Sequence, residues 1–490
     1  MSLTSALLTA QSALNTVSKQ TALVSRNIAG AGDPNFSRRI GSVVSGPGGL
    51  TYLSMTRSAD DALLSKFIES NSQLGVSDTL KGGLDRLSAI YSANDAAGAP
   101  GALLGDLRDS LQLYASQPSN SSLGEAAVSK AVSLANALNR GTAETQKLRQ
   151  DADADIAASV ANINTLLAKF EAANNRIVNG SRAGSDVSDD LDERDGLLKQ
   201  ISGEIGITTL TRADNDMVIF AESGVTLFEK SARTVNFTPT SAFSAGTGGN
   251  EVYVDGVPLS HGTFQQPYGS GRLSGLLQLR DQTAPAYQNQ LDEMARSLVS
   301  MFAETGSGTP PTVPAIPGLF SYAGAPAMPA DATILPGIAG SIKVSSAYIL
   351  SEGGNPALLR DGGTNPANPD YVHNPDGSAG YSDRLQDLIE AISAPRSYDP
   401  DAGAGDNKSL LDFSAAAISS VEAKRQSATQ TNDYNRILAT RASDAISNQS
   451  GVNIDSEMQS LLDLEHSYQA SARILSTIDS MFQELFQAAS

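Results

Sequence analysis

The sequence of 490 residues predicts a multidomain α+β fold with paired N- and C-terminal coiled-coil helices, an elongated helical-bundle domain and inserted β-rich domains. Three observations predict this class. Apolar residues recur at heptad spacing at both ends, long internal segments have helical periodicity, and short alternating segments bounded by turn residues interrupt these helices. The chain also exceeds the roughly 250–300 residues at which one hydrophobic core stops growing, so several domains are expected.

The N-terminal segment carries the first heptad stripe. Apolar or small residues follow one another at alternating spacings of four and three, and few of the other positions are charged. An ordinary surface helix carries more charge, so we expect neighbouring helices to cover this one. The stripe consists of Leu3, Leu7, Ala10, Leu14, Val17, Thr21, Val24 and Ile28.

The C-terminal segment carries a matching stripe. It is acidic from Gly451 onward, whereas the charged residues before Ile28 are Lys19 and Arg26. Opposite charge and equal periodicity favour pairing of the two ends, although exposed charge pairs add only a few tenths of a kcal/mol each. The alternative, in which each stripe is the core face of an ordinary packed helix, stays open. The second stripe consists of Ile454, Met458, Leu461, Tyr468, Ala472, Leu475, Phe482 and Leu485.

The segments between the two ends predict a helical rod. Its boundaries are residues 37–205 with 272–305 and 408–445, and one long segment has Ile156, Val160, Ile163, Leu167, Phe170 and Ile177 in heptad spacing. Residues 1–36 with 446–490 form the terminal domain, which we expect to be disordered in the isolated chain because such helices are marginal in water alone. Helices are predicted over residues 59–91, 101–116, 123–179, 191–205, 281–302 and 410–442.

Two insertions interrupt the helices. Residues 206–271 predict a small antiparallel β-rich domain, with an Asp255-Gly256 hairpin turn among its signals. Residues 306–407 are rich in Pro, Gly, Ala and Asn and predict a surface-facing insertion of uncertain fold. Within this insertion, residues 341–350 have a strand-like pattern and residues 382–391 a helical one.

Composition excludes several classes of partner. The net charge is −19 and no basic run occurs, so neither nucleic acid nor an anionic membrane is expected to bind. The absence of cysteine removes disulfides and thiolate metal sites. Residues 1–28 lack a charged segment followed by a continuous apolar one, so a secreted protein of this sequence is expected to leave the cell without a cleaved signal peptide.

A search for catalytic and metal-binding patterns predicts that the chain is not an enzyme and has no catalytic, cofactor-binding or metal-binding residues. His261, His373 and His466 are too far apart in sequence to form a metal motif, and Asp151, Asp153 and Asp155 lack the glycine and distal glutamate of a calcium loop. The acidic run from Asp186 to Asp195 has the composition of a helix start, where the macrodipole favours negative charge. Each of these features has an ordinary structural interpretation.

One block after the N-terminal stripe, Asn27 to Arg39, resembles the Asn-Ile-Ala-Asn block of flagellar axial proteins. The matching residues form a helix-stop motif, and glycine at positions 30 and 32 replaces asparagine. Both residue types tolerate the left-handed conformation that ends helices, so we expect the stop to persist. The motif consists of Asn27, Ile28, Pro34, Phe36, Ser37 and Arg38.

The C-terminal residues resemble one branch of these proteins, the hook-associated protein 1 family. The resemblance rests on Ser450 to Asp455, Glu457-Met458, Tyr468 to Arg473, and Thr477 to Asp479 with Met481, with weaker similarity over residues 273–301 and none over 306–407.

The resemblance implies an extracellular structural subunit of the bacterial flagellum, at the junction between hook and filament. It implies self-assembly through the terminal helices, export by the type III apparatus with an export chaperone, and contact with the hook protein and a second hook-filament junction protein. Two alternatives stay open: a hook or distal-rod axial protein of the same superfamily, and a secreted enzyme or adhesin on axial-protein ends.

Overall fold

The structure is a computed structural model that describes residues 3–45, 51–91, 98–259, 269–307, 311, 313–365 and 368–489. His261 lies outside these residues. Helices predominate, and the strands are short. The helices are α1 Leu3–Gly30, α2 Asp61–Tyr91, α3 Pro100–Ser116, α4 Ser121–Ala183, α5 Ser188–Glu204, α6 Arg272–Gln278, α7 Ala284–Met301, α8 Ile338–Ser341, α9 Leu358–Asp361, α10 Asp383–Ser393, α11 Leu410–Ser450 and α12 Ile454–Ala489.

The strands form four small antiparallel sheets among the described residues. Their bounds are β1 Arg39–Ser45, β2 Thr51–Arg57, β3 Ile207–Thr211, β4 Met217–Ala221, β5 Thr226–Phe228, β6 Val235–Asn236, β7 Tyr253–Val254, β8 Val257–Pro258, β9 Phe320–Ser321 and β10 Lys343–Val344. The multidomain α+β class expected from the sequence is confirmed. The division of the chain into domains remains a prediction.

Two helix pairs connect the chain ends to the body of the protein. Helix α1 packs along α12, and α2 packs along α11. In the second pair the buried layer is partly polar: Asn435 Nδ2 lies 3.2 Å from Ser77 Oγ and 3.1 Å from the carbonyl oxygen of Gln73. A polar layer of this kind costs stability but specifies how two helices align.

Helix α4 organises the central core. Its 63 residues correspond to a length of about 95 Å. All six of its predicted heptad positions are buried, which confirms that pattern. Asn120 caps its first turn by accepting a hydrogen bond from the Ser122 N–H, and Gly184 ends it with φ = 67°.

The residues after α5 form the predicted β structure. Strands β3, β4 and β5 make one sheet, and β6, β7 and β8 another. The turn between β7 and β8 has φ = 48° at Asp255 and 82° at Gly256, so the predicted hairpin turn is present with both residues in the left-handed region. Phe228 packs edge-to-face on Phe170 of α4 at 5.0 Å between ring centroids, which holds the first sheet against the helical core.

The segment 306–407 packs onto the helices and shares their core. Ile338, Ile342, Tyr348, Leu385 and Ile392 are buried in the same apolar cluster as α3, α4 and α7. The helix expected over 382–391 is present as α10. The strand expected over 341–350 is wrong beyond the two residues of β10, because the chain then turns through two 3₁₀ segments that place Tyr348 inward.

A hairpin of β1 and β2 directly follows the N-terminal helix and was not expected from the sequence. Arg39 pairs with Arg57 at its base, and the register continues to Ser45 opposite Thr51. A Cβ at Gly41 would lie 2.9 Å from Leu53 Cδ1 and 3.4 Å from Leu23 Cδ1, so the hairpin approaches α1 closely at this glycine. None of the helices in the described residues is long and apolar enough to cross a lipid bilayer.

Candidate assembly interface

The N-terminal stripe faces α12 within the same chain. Val24 and Ala10 of the predicted stripe are buried, as is Leu23 beside it. The other predicted positions are half-buried, and the side chain of Leu3 lies outside the described part of the structure. The half-buried positions are Leu7, Leu14, Val17, Thr21 and Ile28.

The C-terminal stripe is divided between two faces of α12. Leu461, Leu475 and Phe482 are half-buried in the face that contacts α1, together with the fully buried Ile478. Five other predicted positions are exposed, because α12 is apolar on more than one face and heptad spacing alone does not separate them. These exposed positions are Ile454, Met458, Tyr468, Ala472 and Leu485.

The exposed apolar residues of α12 lie on both sides of its contact with α1. At 100° per residue, Ile454, Met458 and Leu462 form a row on one side near the start of the helix. Ile474, Met481 and Leu485 form a second row on the opposite side near its end, and these six side chains are 45–54% exposed. The described chain leaves both rows uncovered, which is the surface that an assembling subunit requires.

The helix-stop motif forms the elbow between the two helix pairs. Asn27 clamps the chain where it turns: its Nδ2 donates to the Arg39 carbonyl at 2.9 Å, and its Oδ1 accepts from the Arg39 N–H at 2.9 Å. Pro34 lies exposed at the turn, and the Phe36 ring stacks under the Arg39 guanidinium at 4.7 Å. The motif thus positions the hairpin as well as ending α1.

Gly30 has a different role from the one expected. Neither Gly30 nor Gly32 is among the glycines with positive φ, so the expected left-handed helix stop is wrong for both. A Cβ at Gly30 would lie 2.6 Å from the Phe36 ring, whereas a Cβ at Gly32 would meet nothing within 4 Å. Gly30 is therefore required for the close approach of the aromatic ring.

Glu457 joins α12 to this elbow. It is 1% exposed, and its Oε2 accepts from Asn27 Nδ2 at 3.1 Å while its Oε1 accepts from Arg38 Nε at 2.6 Å. The Arg38 N–H also donates to the carbonyl oxygen of Ser450, the last residue of α11, at 2.7 Å. The ends of the helices α1, α11 and α12 are thereby connected through residues 27, 38 and 457.

Three arginines attach the elbow to α5. Arg39 donates to Asp192 at 2.6 Å and to Asp189 at 3.0 Å, and Arg57 donates to Asp192 at 3.0 Å. Burial acts to lower the pKa of Arg57, but the charges and hydrogen bonds of Asp195 and Asp192 together outweigh it and leave the pKa above its ordinary value. Arg26 pairs with Asp186 and Asp189 at the exposed edge of the cluster.

The interpretation of this acidic run as a simple helix start is therefore incomplete. The aspartates at 186, 189, 192 and 195 recur every three positions, and the last three lie along one side of the start of α5. Asp192 is buried, and the Ser37 N–H also donates to its Oδ2 at 3.1 Å. That spacing, together with the arginines of the elbow, is a signal in the sequence from which this contact could have been predicted.

The residues considered for metal binding have other partners. Asp153 is buried and pairs with Arg280 at 2.6 Å, while Asp151 and Asp155 pair with Arg86 and Arg272 at the surface. His466 is exposed on α12, and His373 Nε2 lies 3.1 Å from the carbonyl oxygen of Thr305. The part of the chain that the structure describes contains no group of three or more ligand-type side chains able to hold a metal ion.

Two family models match different parts of the chain. The model described as flagellar hook-associated protein FlgK helical domain matches residues 84–307. The model described as flagellar basal body rod FlgEFG protein C-terminal matches residues 445–488, which contain the end of α11 and nearly all of α12. Both descriptions name components of the flagellum.

Curated relatives carry a single description, flagellar hook-associated protein 1. The chain is 26% identical to the protein of Escherichia coli over 61% of its own length and 55% of the relative. It is 27% identical to that of Salmonella typhimurium over 61% of its own length and 54% of the relative. The chain thus spans about half the length of these two relatives.

The relative from Bacillus subtilis matches over a longer range, with 20% identity over 89% of this chain and 85% of the relative. A solved structure, that of the flagellar hook junction protein FlgK from Burkholderia pseudomallei, aligns with a TM-score of 0.41 and 19% identity over 53% of this chain and 46% of that one. The two family models and these curated relatives show that the chain is similar to flagellar hook-associated protein 1 along most of its length.

Proposed function

We propose that this chain is a structural subunit of the bacterial flagellum that forms the junction between hook and filament by self-assembly through its terminal helices. The observation that carries the proposal is the terminal helix pair, which leaves two apolar rows on opposite sides of α12 uncovered. Two different rows favour contacts with two different neighbours, as in a ring built from head-to-tail interfaces.

The elbow supports a mechanical role. The terminal pair joins the body through the buried or half-buried residues Asn27, Arg38 and Glu457, and through arginines of the elbow that pair with aspartates of α5. An ion-pair network anchored on a helix holds one orientation better than a free linker of glycine and serine does. A junction between two lattices requires an orientation that is maintained under load.

The partners of such a junction are the neighbouring copies of the chain, the hook protein on one side and a second junction protein on the other. Export through the type III apparatus with a chaperone, and a position outside the cell, belong to the same proposal. A structural role without enzymatic activity fits the buried carboxylates Asp192, Asp153 and Glu304, each of which is used in an ion pair with an arginine.

Deletion of the gene in the organism that encodes the chain tests the proposal. We expect hooks without filaments and flagellin released into the medium, with filaments restored by a plasmid copy. Electron microscopy with an antibody against residues 306–407 should then label the position between hook and filament. Deletion cells that swim with attached filaments would overturn the proposal, and labelling along the hook or rod would favour the alternative axial role.

A further inference from the structure

Glu457 occupies an inward position of α12 where the heptad pattern elsewhere places apolar or small side chains. Leu461, Leu464, Ser471, Leu475, Ile478 and Phe482 continue the same face at spacings of three, four and seven residues, and all are buried or half-buried. A buried carboxylate in such a face requires specific partners, and Glu457 has two, Asn27 and Arg38.

Asn27 is the counterpart of Glu457 on α1. It is 0% exposed and is 430 residues away in sequence. The C-terminal end of α1 and the N-terminal start of α12 meet at this contact, so the two helices run antiparallel along their shared length. Counting away from the contact, fourteen residues in each direction place Ala13 (27 − 14) opposite Ser471 (457 + 14), and both are half-buried.

Apolar heptads alone do not determine how such a pair aligns. Sliding α12 by seven residues brings one apolar position onto the next, so the apolar contacts of the two registers are similar. The polar cluster of Asn27, Arg38 and Glu457 occurs only once along the described pair, so it differs between the two registers. In the slid register Glu457 would face Gln20 (27 − 7), and the buried amide of Asn27 would lose its carboxylate acceptor.

We propose that the cluster of Asn27, Arg38 and Glu457 selects the register of the α1–α12 pair and fixes the direction in which this pair leaves α11. Because the Arg38 backbone also bonds to Ser450, a change of register would strain the connection to α11. Glu457 is then a positioning residue for assembly, and this inference rests on the proposed function.

Paired cysteines can report the register, since the chain contains no cysteine of its own. Ala13→Cys with Ser471→Cys reports the native register, and Ala13→Cys with Leu464→Cys reports the register slid by seven residues. Each pair is introduced into the full-length chain expressed in the deletion strain, and a short bismaleimide crosslinker is applied to isolated hook-filament particles. The yield of intramolecular crosslink is measured by electrophoresis and mass spectrometry.

In the otherwise unchanged chain we expect a higher crosslink yield from the cysteine pair that reports the native register than from the pair that reports the slid register. Glu457→Leu removes the polar contacts while keeping an inward side chain, and should raise the yield of the slid pair relative to the native pair by at least about threefold, because the apolar contacts are similar in both registers. Glu457→Gln can still accept from Asn27 and should keep the native register. Glu465→Leu, at an exposed position of the same helix, is the matched control and should also keep it.

The outcomes separate the inference from the proposed function. If Glu457→Leu crosslinks only in the native register, as the unchanged chain does, the cluster does not select register and the inference is overturned while the function stands. If the unchanged chain never reaches the particles, the proposed function fails and takes the inference with it. A thermal melt of each variant checks that the helical body remains folded.

Discussion

Arg384 Nη2 donates to Glu304 Oε1 at 2.8 Å, and both side chains are buried. The Tyr348 hydroxyl donates to the same oxygen at 2.7 Å. Glu304 follows α7, whereas Arg384 and Tyr348 belong to the segment 306–407, so this carboxylate joins the segment to the helical core. Two residues of α7 act similarly: Asp292 accepts from the Gly337 and Ala339 N–H groups, and Glu293 accepts from the Asp399 N–H.

Replacement of Glu304 by Ala is expected to destabilise the chain by about 3–5 kcal/mol, because it leaves the buried Arg384 charge without its partner. Urea denaturation followed by circular dichroism measures this. Glu352→Ala, at an exposed position of the same segment, is the control and should stay within about 0.5 kcal/mol of the unchanged chain. Equal stability of the two variants would show that the segment folds without this ion pair.

Asp292 is expected to make the free energy of unfolding fall as the pH rises. Burial raises its pKa from 3.8 to about 6, against the hydrogen bonds donated by Gly337, Ala339 and Gln288. The folded chain therefore binds this proton more tightly than the unfolded chain. The resulting stabilisation is present below about pH 4 and is lost as the pH rises towards 6, with a total of about 3 kcal/mol.

Asp292→Asn removes this titration. We expect the stability of the unchanged chain, measured relative to Asp292→Asn by urea denaturation, to fall steadily between pH 4 and pH 6 and to level off above pH 7. Asp376→Asn, at an exposed position, serves as the control. A stability difference between the unchanged chain and Asp292→Asn that does not vary with pH would contradict the raised pKa.

Gly30 and Gly32 offer a matched pair of substitutions at the elbow. Gly30→Ala places a Cβ against the Phe36 ring and is expected to cost about 1–3 kcal/mol, more than the roughly 1 kcal/mol that alanine gains in a helix. Gly32→Ala meets no atom within 4 Å. Limited proteolysis should cut Gly30→Ala faster than Gly32→Ala between residues 31 and 38. Equal rates would mean that Phe36 moves aside without cost.

Periodicity predicted the parts of the fold in which one face of an element is buried. The heptads of α4 and the turn at Asp255 and Gly256 are local patterns, and the structure confirms both. The β1–β2 hairpin was missed because its stability depends on contacts from outside the strands: α1 packs beside Gly41, and α5 holds Arg39 and Arg57. No local pattern contains such contacts.

In the candidate interface, too, local patterns were predicted and contacts between distant parts of the chain were missed. Heptad spacing found both terminal helices, but it could not decide which apolar face of α12 contacts α1, because the helix has apolar residues on its inner face and on both flanks. Glu457 was missed because a carboxylate interrupts an apolar stripe. Its burial is explained only by Asn27 and Arg38, which lie more than 400 positions earlier in the chain.

Substitutions at the neighbouring residues Leu475 and Ile474 can test two contacts separately: the contact between α1 and α12, and the proposed contact with a neighbouring subunit. Leu475 is half-buried on the face of α12 that contacts α1. Ile474 is 54% exposed and belongs to the second exposed row, with Met481 and Leu485, which is called the outer row below. Leu475→Asp inserts a charge between the paired helices, where burial without a partner costs several kcal/mol. Ile474→Asp leaves that pair intact and places the charge where we expect a neighbouring subunit.

Both variants should build hooks, lose filaments and release flagellin into the medium, while the thermal transition of the helical body stays nearly unchanged, because α2 to α11 do not depend on either side chain. Ser476→Asp adds the same charge at an exposed polar position and should leave swimming normal. Normal swimming with Ile474→Asp would remove the outer row from the interface. Normal swimming with Leu475→Asp would show that the terminal pair is dispensable, and contacts between the outer parts of the subunits would then have to hold the junction.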